Sequence, residues 1–242
     1  MNPILVALDV ESAHKAVDLA NTLRGSVGGF KVGKQLFTAA GPAMVRELTS
    51  RGDRVFLDLK FHDIPNTVAG AVESAVSTGA WMVNVHASGG SAMMRAAADA
   101  ATKAAGKLSQ QRPLVIGVTV LTSMTDAALR EVGIVTPVIE QVVRLARLAQ
   151  SSGLDGVVAS PQEVGAIRAA CGPDFQIVTP GIRPLRQSSG QAADQQGKDD
   201  QARTMTPAEA MTAGATHLVI GRPITGAPDP RSAAEQILAT LR

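Results

Sequence analysis

Short apolar runs rich in β-branched residues recur eight times along the 242-residue chain, and this repetition constrains the fold more than any other feature. Strands that are apolar on both faces and alternate with helices are typical of a parallel sheet covered by helices. Eight such units close into a barrel more readily than they extend as an open sheet. We therefore predict an α/β fold, a (β/α)8 TIM barrel. The runs occupy residues 4–8, 30–32, 55–59, 82–85, 114–120, 156–159, 176–179 and 218–220.

Amphipathic stretches rich in Ala and Leu fill the intervals between the runs, and another follows the eighth run. They predict helices over residues 13–23, 42–50, 66–77, 91–105, 138–151, 162–170, 207–213 and 231–241. No linker or shift in composition divides the chain, so we expect a single domain over residues 1–242.

Residues 183–204 break this rhythm, because Gly, Ser, Gln and charged residues are mixed there without a period. A loop this long inside a compact domain is usually functional or disordered. In a barrel it follows the seventh strand, on the face where active sites lie. A tolerated surface insertion is the alternative for its middle portion.

Composition excludes several classes of protein. The net charge is +2 with acids and bases mixed along the chain, and Trp81 is the only Trp in a sequence without Tyr. A nucleic-acid partner is therefore not expected, since both a basic stripe and stacking platforms are missing. A single cysteine, Cys171, forms no intrachain disulfide, and we expect a cytoplasmic protein. No run approaches 18 apolar residues, so no membrane span is predicted.

The third run ends in DLKFHDIPNT, residues 58–67, which is the most informative stretch of the sequence. Asp58 and Lys60 are two residues apart, so on a strand they point to the same face. In a barrel that face is the interior, where charge is costly unless it is paired. A lysine placed between Asp58 and Asp63 is favoured as an ammonium, which suits it to giving a proton to a carbanion. A buried ion pair that closes the barrel is the structural alternative.

Two other predicted strand ends add charge to the same face. Asp9 ends the first run in ALD, and Lys31 lies in the second run in KVG. Either residue alone is equally well explained as a polar group at the end of a barrel. With Asp58, Lys60 and Asp63 they form an array of alternating charge around one mouth.

A second cluster has the character of a phosphate site. TPGIR, residues 179–183, follows the seventh run, and IGRP, residues 220–223, follows the eighth. Phosphate sites in these barrels are often built from the loops after strands 7 and 8. Gly181 and Gly221 let backbone N–H groups approach an anion, while Arg183 and Arg222 supply bidentate donors. Glycines that serve tight turns and solvated arginines are the alternative.

No metal site is predicted. His62 and His86 lie at strand ends, but no carboxylate or cysteine spacing supports a ligand set around them.

Six motifs in order resemble the orotidine 5′-phosphate decarboxylase family, in its bacterial form, over essentially the whole chain. They are ALD, KVG, DLKFHDIPNT, VTVLTS, VTPGIR and VIGRPI. The resemblance implies a cofactor-free enzyme that converts orotidine 5′-phosphate to uridine 5′-phosphate (UMP) and CO2, the last step of pyrimidine (UMP) biosynthesis.

The resemblance also implies a role for each matching residue. Lys31, Asp58, Lys60 and Asp63 match the family's charged tetrad, with Lys60 as the proton donor. A homodimer with shared active sites is implied, in which Asp63 and Thr67 reach the neighbouring subunit's site. The substrate contacts implied are Asp9 to the ribose, Thr122 to the pyrimidine, and Arg183, Gly221, Arg222 and Gln201 to the phosphate. Gln201 is matched by its distance to Met205, but the loop is longer than usual and Gln195 is an alternative.

Two other functions compete with this interpretation. Mg²⁺-dependent sugar-phosphate lyases and aldolases on a related barrel share the DxKxxD pattern, but they use an acidic metal ligand on the second strand. Here that position is Lys31, whose ammonium would repel a divalent cation. A non-catalytic nucleotide-binding barrel is the other alternative. It has no need for a buried and costly array of charges.

Overall fold

The computed structural model describes residues 2–183 and 204–241, and within them eight parallel strands form one closed barrel. Each strand pairs with the next one along the chain, and β1 pairs with β8 to close the ring. The predicted (β/α)8 barrel is therefore confirmed. The strands are β1 Ile4–Ala7, β2 Gly29–Gly33, β3 Val55–Phe61, β4 Met82–His86, β5 Leu114–Val118, β6 Gly156–Val158, β7 Gln176–Thr179 and β8 His217–Ile220.

Ten α-helices lie in the described part of the chain, together with two short 3-10 helices at Ala87–Gly89 and Pro161–Glu163. None of these helices is both long enough and apolar enough to cross a membrane. The α-helices are α1 Ala13–Leu23, α2 Lys34–Thr49, α3 Pro65–Val76, α4 Gly90–Lys107, α5 Asp126–Glu131, α6 Val138–Ser151, α7 Val164–Cys171, α8 Pro207–Thr212, α9 Arg222–Thr225 and α10 Pro230–Ala239.

Alternation along the strands divides the apolar side chains between two cores. One face of each strand packs against the helices in a large outer core, for example Ile4 and Val6 of β1. The other face fills the barrel with a small inner cluster that includes Leu5, Phe56 and Met82. Side chains that stand on the inner face further toward the carboxyl ends of the strands therefore reach the mouth of the barrel.

Three helical segments differ from the sequence prediction. Helix α2 consists of two helical stretches separated by Gly41, which is not helical, with a φ of 67° and a ψ of −170°. The predicted start at residue 42 matches the second stretch, and the first stretch, from Lys34, was not predicted. The Gly-Pro pair separates the two stretches, because Gly41 adopts a positive φ and Pro42 is suited to the first position of a helix. The short helices α5 and α9 were not predicted, since four to six residues are too few to show a helical period.

Candidate active site

A cavity of about 440 Å³ opens at the carboxyl ends of the strands. Its floor is apolar and includes Ala7, Phe56 and Val219 from the inner face of the barrel. Its walls carry most of the polar residues that the sequence singles out. Eight of the predicted site residues line it: Asp9, Lys31, Asp58, Lys60, Thr122, Arg183, Gly221 and Arg222.

The Asp58 carboxylate lies at the centre of the charged side of the cavity. Lys60 Nζ donates to Asp58 Oδ1 at 2.5 Å, and Lys31 Nζ lies 3.6 Å from Asp58 Oδ2. Lys31 Nζ also donates to Asp9 Oδ1 at 3.1 Å. The side chains of Asp58 and Lys31 are only 12% and 11% exposed, so these charges are held together away from bulk water.

Asp58 is held in its ionised form by its neighbours. Burial by itself acts to raise the pKa of this carboxyl. The Lys31 and Lys60 cations, followed by the hydrogen bonds from Lys60 and Asn84, outweigh burial and hold the pKa below its ordinary value. The cavity therefore presents a carboxylate with a cation on either side.

The backbone at Lys60 departs from regular strand geometry. The pairing of β3 with β4 shifts register between Leu57 and Phe61, and Lys60 has a φ of 53°. The sequence prediction that Asp58 and Lys60 share a face assumed an unbroken strand. The two side chains do meet, but across an irregular segment rather than by simple alternation.

Sequence analysis missed Asn84, a fully buried residue of β4. Its Nδ2 donates to Asp58 Oδ1 at 2.7 Å, and its Oδ1 accepts from the Lys60 N–H at 2.8 Å. Asn84 could have been identified as a lone polar residue inside the apolar run MVNVH. A buried amide is costly unless both of its ends are hydrogen-bonded, so such a residue is expected to have specific partners.

His86 ends β4 close to the charged side of the cavity, and its ring lies 5.4 Å from the ring of His62. Burial, then the charges of His62, Lys34 and Lys60, lower the pKa of His86 to about 4. Across residues 2–183 and 204–241, no group of three His, Cys, Asp or Glu side chains is arranged to hold a metal ion.

The opposite side of the cavity is built from the chain after β7 and β8. Gly181 has a φ of 81°, which an L side chain rarely adopts, so the turn after β7 depends on glycine. Arg183 N–H donates to the Met205 carbonyl at 3.0 Å, and Ile182 and Met205 form a parallel bridge. The two ends of the 183–204 segment are therefore tied together beside Arg183, and Arg222 stands at the first turn after β8.

Two of the predicted site residues within the described part of the chain do not line this cavity. Asp63 and Thr67 are exposed beside the mouth, and Asp63 Oδ1 accepts from the Ile64 N–H at 2.6 Å. Ile64 between them is 66% exposed. Gln201, and its alternative Gln195, lie outside the described residues.

Comparison with known proteins gives one consistent result. Residues 2–237 match the model of the family described as "Orotidine 5'-phosphate decarboxylase / HUMPS family". The orotidine 5′-phosphate decarboxylase of Moorella thermoacetica is 56% identical over 239 residues, which is 98% of this chain and 91% of the relative. That of Paramagnetospirillum magneticum is 52% identical and spans 100% of this chain and 99% of the relative. The crystal structure of the Lactobacillus acidophilus enzyme of that name superposes with a TM-score of 0.85 at 38% identity, covering 100% of both chains.

Proposed function

The chain belongs to the orotidine 5′-phosphate decarboxylase / HUMPS family, and on that premise we propose that its barrel mouth converts orotidine 5′-phosphate to UMP and CO2 without a cofactor. The observation that carries the proposal is the ionised Asp58 carboxylate between Lys31 and Lys60, on one side of a cavity that Arg183 and Arg222 line as well. The proposed decarboxylation is the last step of UMP synthesis.

The charged side of the cavity carries the chemistry. A substrate carboxylate that enters next to Asp58 meets a like charge, and loss of CO2 removes that repulsion. The bond from the pyrimidine ring to CO2 breaks and its electron pair remains on the ring carbon. The Lys60 ammonium stabilises this carbanion and then donates its proton to it, which leaves an amine that solvent reprotonates.

The other side of the cavity supplies binding energy. There we assign the phosphate to Arg183, Arg222, the Gly221 backbone and Gln201. The ribose is assigned to Asp9, which lies beside Lys31 on the charged side, and the pyrimidine to Thr122. The phosphate contacts are remote from the bond that breaks. Binding energy from a remote group can be used to order the charged array, which raises kcat as well as lowering KM.

The Mg²⁺-dependent lyase or aldolase is not supported. Lys31 Nζ occupies the space between Asp9 and Asp58, at 3.1 and 3.6 Å from their oxygens. A divalent cation there would face an ammonium instead of an oxygen ligand. The named relatives at 50–56% identity are also decarboxylases.

The direct test is to incubate the purified protein with orotidine 5′-phosphate in the presence of EDTA and follow UMP by chromatography. We expect full activity with no added cofactor. Activity that chelation removes and Mg²⁺ restores would overturn the cofactor-free mechanism and favour the lyase alternative.

We also propose a cytoplasmic homodimer with shared active sites. Asp63 and Thr67 are exposed and do not line their own chain's cavity, and the exposed Ile64 lies between them in the sequence, as expected for a surface that a second copy covers. In this arrangement each site takes Asp63 and Thr67 from the partner subunit.

Subunit mixing tests the shared site. Lys60→Ala and Asp63→Ala homodimers should both be poorly active. When they are mixed equally and exchange subunits, one site of each heterodimer carries both lesions and the other carries neither. Random pairing makes about half the dimers mixed, so activity should recover to about a quarter of wild type. Heterodimers on a native gel without regained activity would contradict the shared site and leave the decarboxylase assignment intact.

A further inference from the structure

Strand β3 is irregular at the position of the proposed proton donor. Leu57 pairs with Val83 and Phe61 pairs with Val85, so four steps along β3 correspond to only two along β4. The extra residues form a bulge that contains both Asp58 and Lys60. Bulges next to active sites re-aim side chains, and they interrupt the ladder of backbone hydrogen bonds that otherwise holds a strand in place.

Lys60 lies in the left-handed region with a φ of 53°, and among the described non-glycine residues only Ser109 shares a positive φ. This conformation is sterically disfavoured for an L residue and persists only where the surroundings impose it. Some contact must therefore replace the missing ladder bonds and hold the Lys60 backbone.

Asn84 makes that contact. Its side chain is fully buried, and its Oδ1 accepts from the Lys60 N–H at 2.8 Å. Its Nδ2 donates to Asp58 Oδ1 at 2.7 Å. The orientation of the amide is fixed by its partners, because a backbone N–H only donates and a carboxylate only accepts.

The same amide fixes the rotation of the Asp58 carboxylate. Oδ1 accepts from both Asn84 and Lys60 Nζ, which turns Oδ2 toward Lys31 Nζ. Asn84 itself is not among the residues that line the cavity. It therefore acts on the reaction through Lys60 and Asp58 and not through the substrate.

We propose that Asn84 is a positioning residue that sets the place of the Lys60 ammonium and the Asp58 carboxylate relative to the substrate. The proposal rests on the proposed decarboxylase function. A misplacement of about 1 Å in catalytic groups costs on the order of 100-fold in rate. Removal of the amide should thus lower kcat while the remote phosphate contacts keep KM nearly unchanged.

The experiment compares Asn84→Ala with wild type and with Thr216→Val. Thr216 is a matched control at the opposite end of the barrel, where its hydroxyl also bonds to the backbone of a neighbouring strand, at Ile177. For Asn84→Ala we expect kcat to fall about 10- to 100-fold and KM to change less than about threefold. Thr216→Val should lower thermal stability and leave kcat unchanged.

A double-mutant cycle with Lys60→Ala separates positioning from general destabilisation. If Asn84 acts by placing Lys60, its removal should cost much less in the residual rate of Lys60→Ala than in wild type. An equal loss in both backgrounds, or a kcat for Asn84→Ala within twofold of wild type, would overturn the proposal. Should Asn84→Ala fail to fold, Asn84→Ser carries the same measurements, because its hydroxyl and a water molecule can occupy the vacated space. Wild-type protein without activity on orotidine 5′-phosphate would instead refute the proposed function.

Discussion

The two ends of the barrel use charged residues in different ways. At the base, where the strands begin, Asp155 accepts two hydrogen bonds from Arg112 Nη1 at 2.9 and 2.7 Å and a third from the Val115 N–H at 2.7 Å. At the mouth, Lys31 and Lys60 both approach the single carboxylate of Asp58, and all three side chains border an open cavity.

The difference concerns what each group of charges stabilises. The Arg112–Asp155 ion pair at the base joins a loop to the start of a strand and satisfies a backbone donor, so its effect is on folding. The charged residues at the mouth place two cations around one buried carboxylate, and the backbone of Lys60 is in the left-handed region. Folding alone does not favour either feature. Changes at the mouth should therefore lower activity with little loss of stability, and changes at the base should do the reverse.

Lys60→Ala should give the largest effect, which is a loss of catalytic activity. Removal of a proton donor costs about 10²- to 10⁴-fold in rate, and Asp58 retains Lys31 and Asn84 as partners. We expect kcat to collapse while UMP binding, measured by calorimetry, remains detectable. A near-normal kcat would show that Lys60 is only a member of a structural ion pair.

Asp155→Ala is the counterpart at the base. It removes the acceptor of the Val115 N–H and the carboxylate partner of Arg112, which keeps only its bonds to Thr102 and the Pro113 carbonyl, so the free energy of unfolding should fall by about 2–3 kcal/mol. Denaturant unfolding measures this loss, and kcat should stay within twofold of wild type. Asp155→Asn, which keeps an acceptor oxygen, should lose less. If Asp155→Ala keeps its stability but has a reduced kcat, the claim that charges at the base act on stability and not on activity is wrong.

Arg222→Ala probes the side of the mouth to which we assign the phosphate. A charge-assisted contact to phosphate is worth about 1.5–3 kcal/mol, or roughly 10- to 150-fold in kcat/KM. The loss should appear with orotidine 5′-phosphate and be absent with the nucleoside orotidine, which has no phosphate to bind. Equal losses on both substrates would place Arg222 elsewhere in the mechanism.

Gly33→Ala tests how closely the array is packed. An added Cβ would lie 2.8 Å from Lys31 Nζ and 3.2 Å from Asp9 Oδ1. The end of a lysine side chain moves easily, so stability should change by less than about 1 kcal/mol. The displaced ammonium should lower kcat/KM by about tenfold.

Gly106→Ala in α4 is the control for that substitution, because an added Cβ there meets no atom within 4 Å. It should gain up to about 1 kcal/mol of stability and keep full activity. If both glycine variants retain wild-type kcat/KM, the position of Lys31 is not critical.

The sequence was sufficient for the barrel because its signal is local and repeated. The ends of α1 and α6 coincide with the predicted bounds, since the apolar period runs unbroken through both helices. The helical stretch that begins at Lys34 and ends before Gly41 was not predicted, because so few residues do not show a clear helical period.

Some features of the candidate site could likewise be predicted from the sequence, and others could not. Asp58, Lys60 and Lys31 stand out because charge inside a barrel strand demands a reason. The left-handed backbone of Lys60 and its bond to Asn84 leave no local signal, because they depend on a register shift against a strand 24 residues further along the chain. Contacts of this kind are set by tertiary structure alone.

The stability of the base should also depend on pH. His217 packs edge-on against Trp81, whose ring also lies under Arg54, with centroid distances of 5.2 and 5.3 Å. Burial, followed by the charge of Arg54, lowers the pKa of His217 to about 4. The unfolded chain titrates near the ordinary pKa of about 6.5, so it binds a proton between pH 6.5 and 4 that the folded protein does not.

The sign of the effect follows from this difference. Above pH 6.5 the ring is neutral in both states, and as the pH falls toward 4 the unfolded state gains protons and stability decreases. His217→Gln removes this contribution, so its loss of unfolding free energy between pH 7 and pH 5 should be smaller than that of wild type by about 1–2 kcal/mol. Because the residue lies at the base, the dependence of kcat on pH should be the same in both proteins. A variant that loses stability as steeply as wild type would contradict the assignment to His217. A displaced kcat profile would show that the two ends of the barrel are coupled.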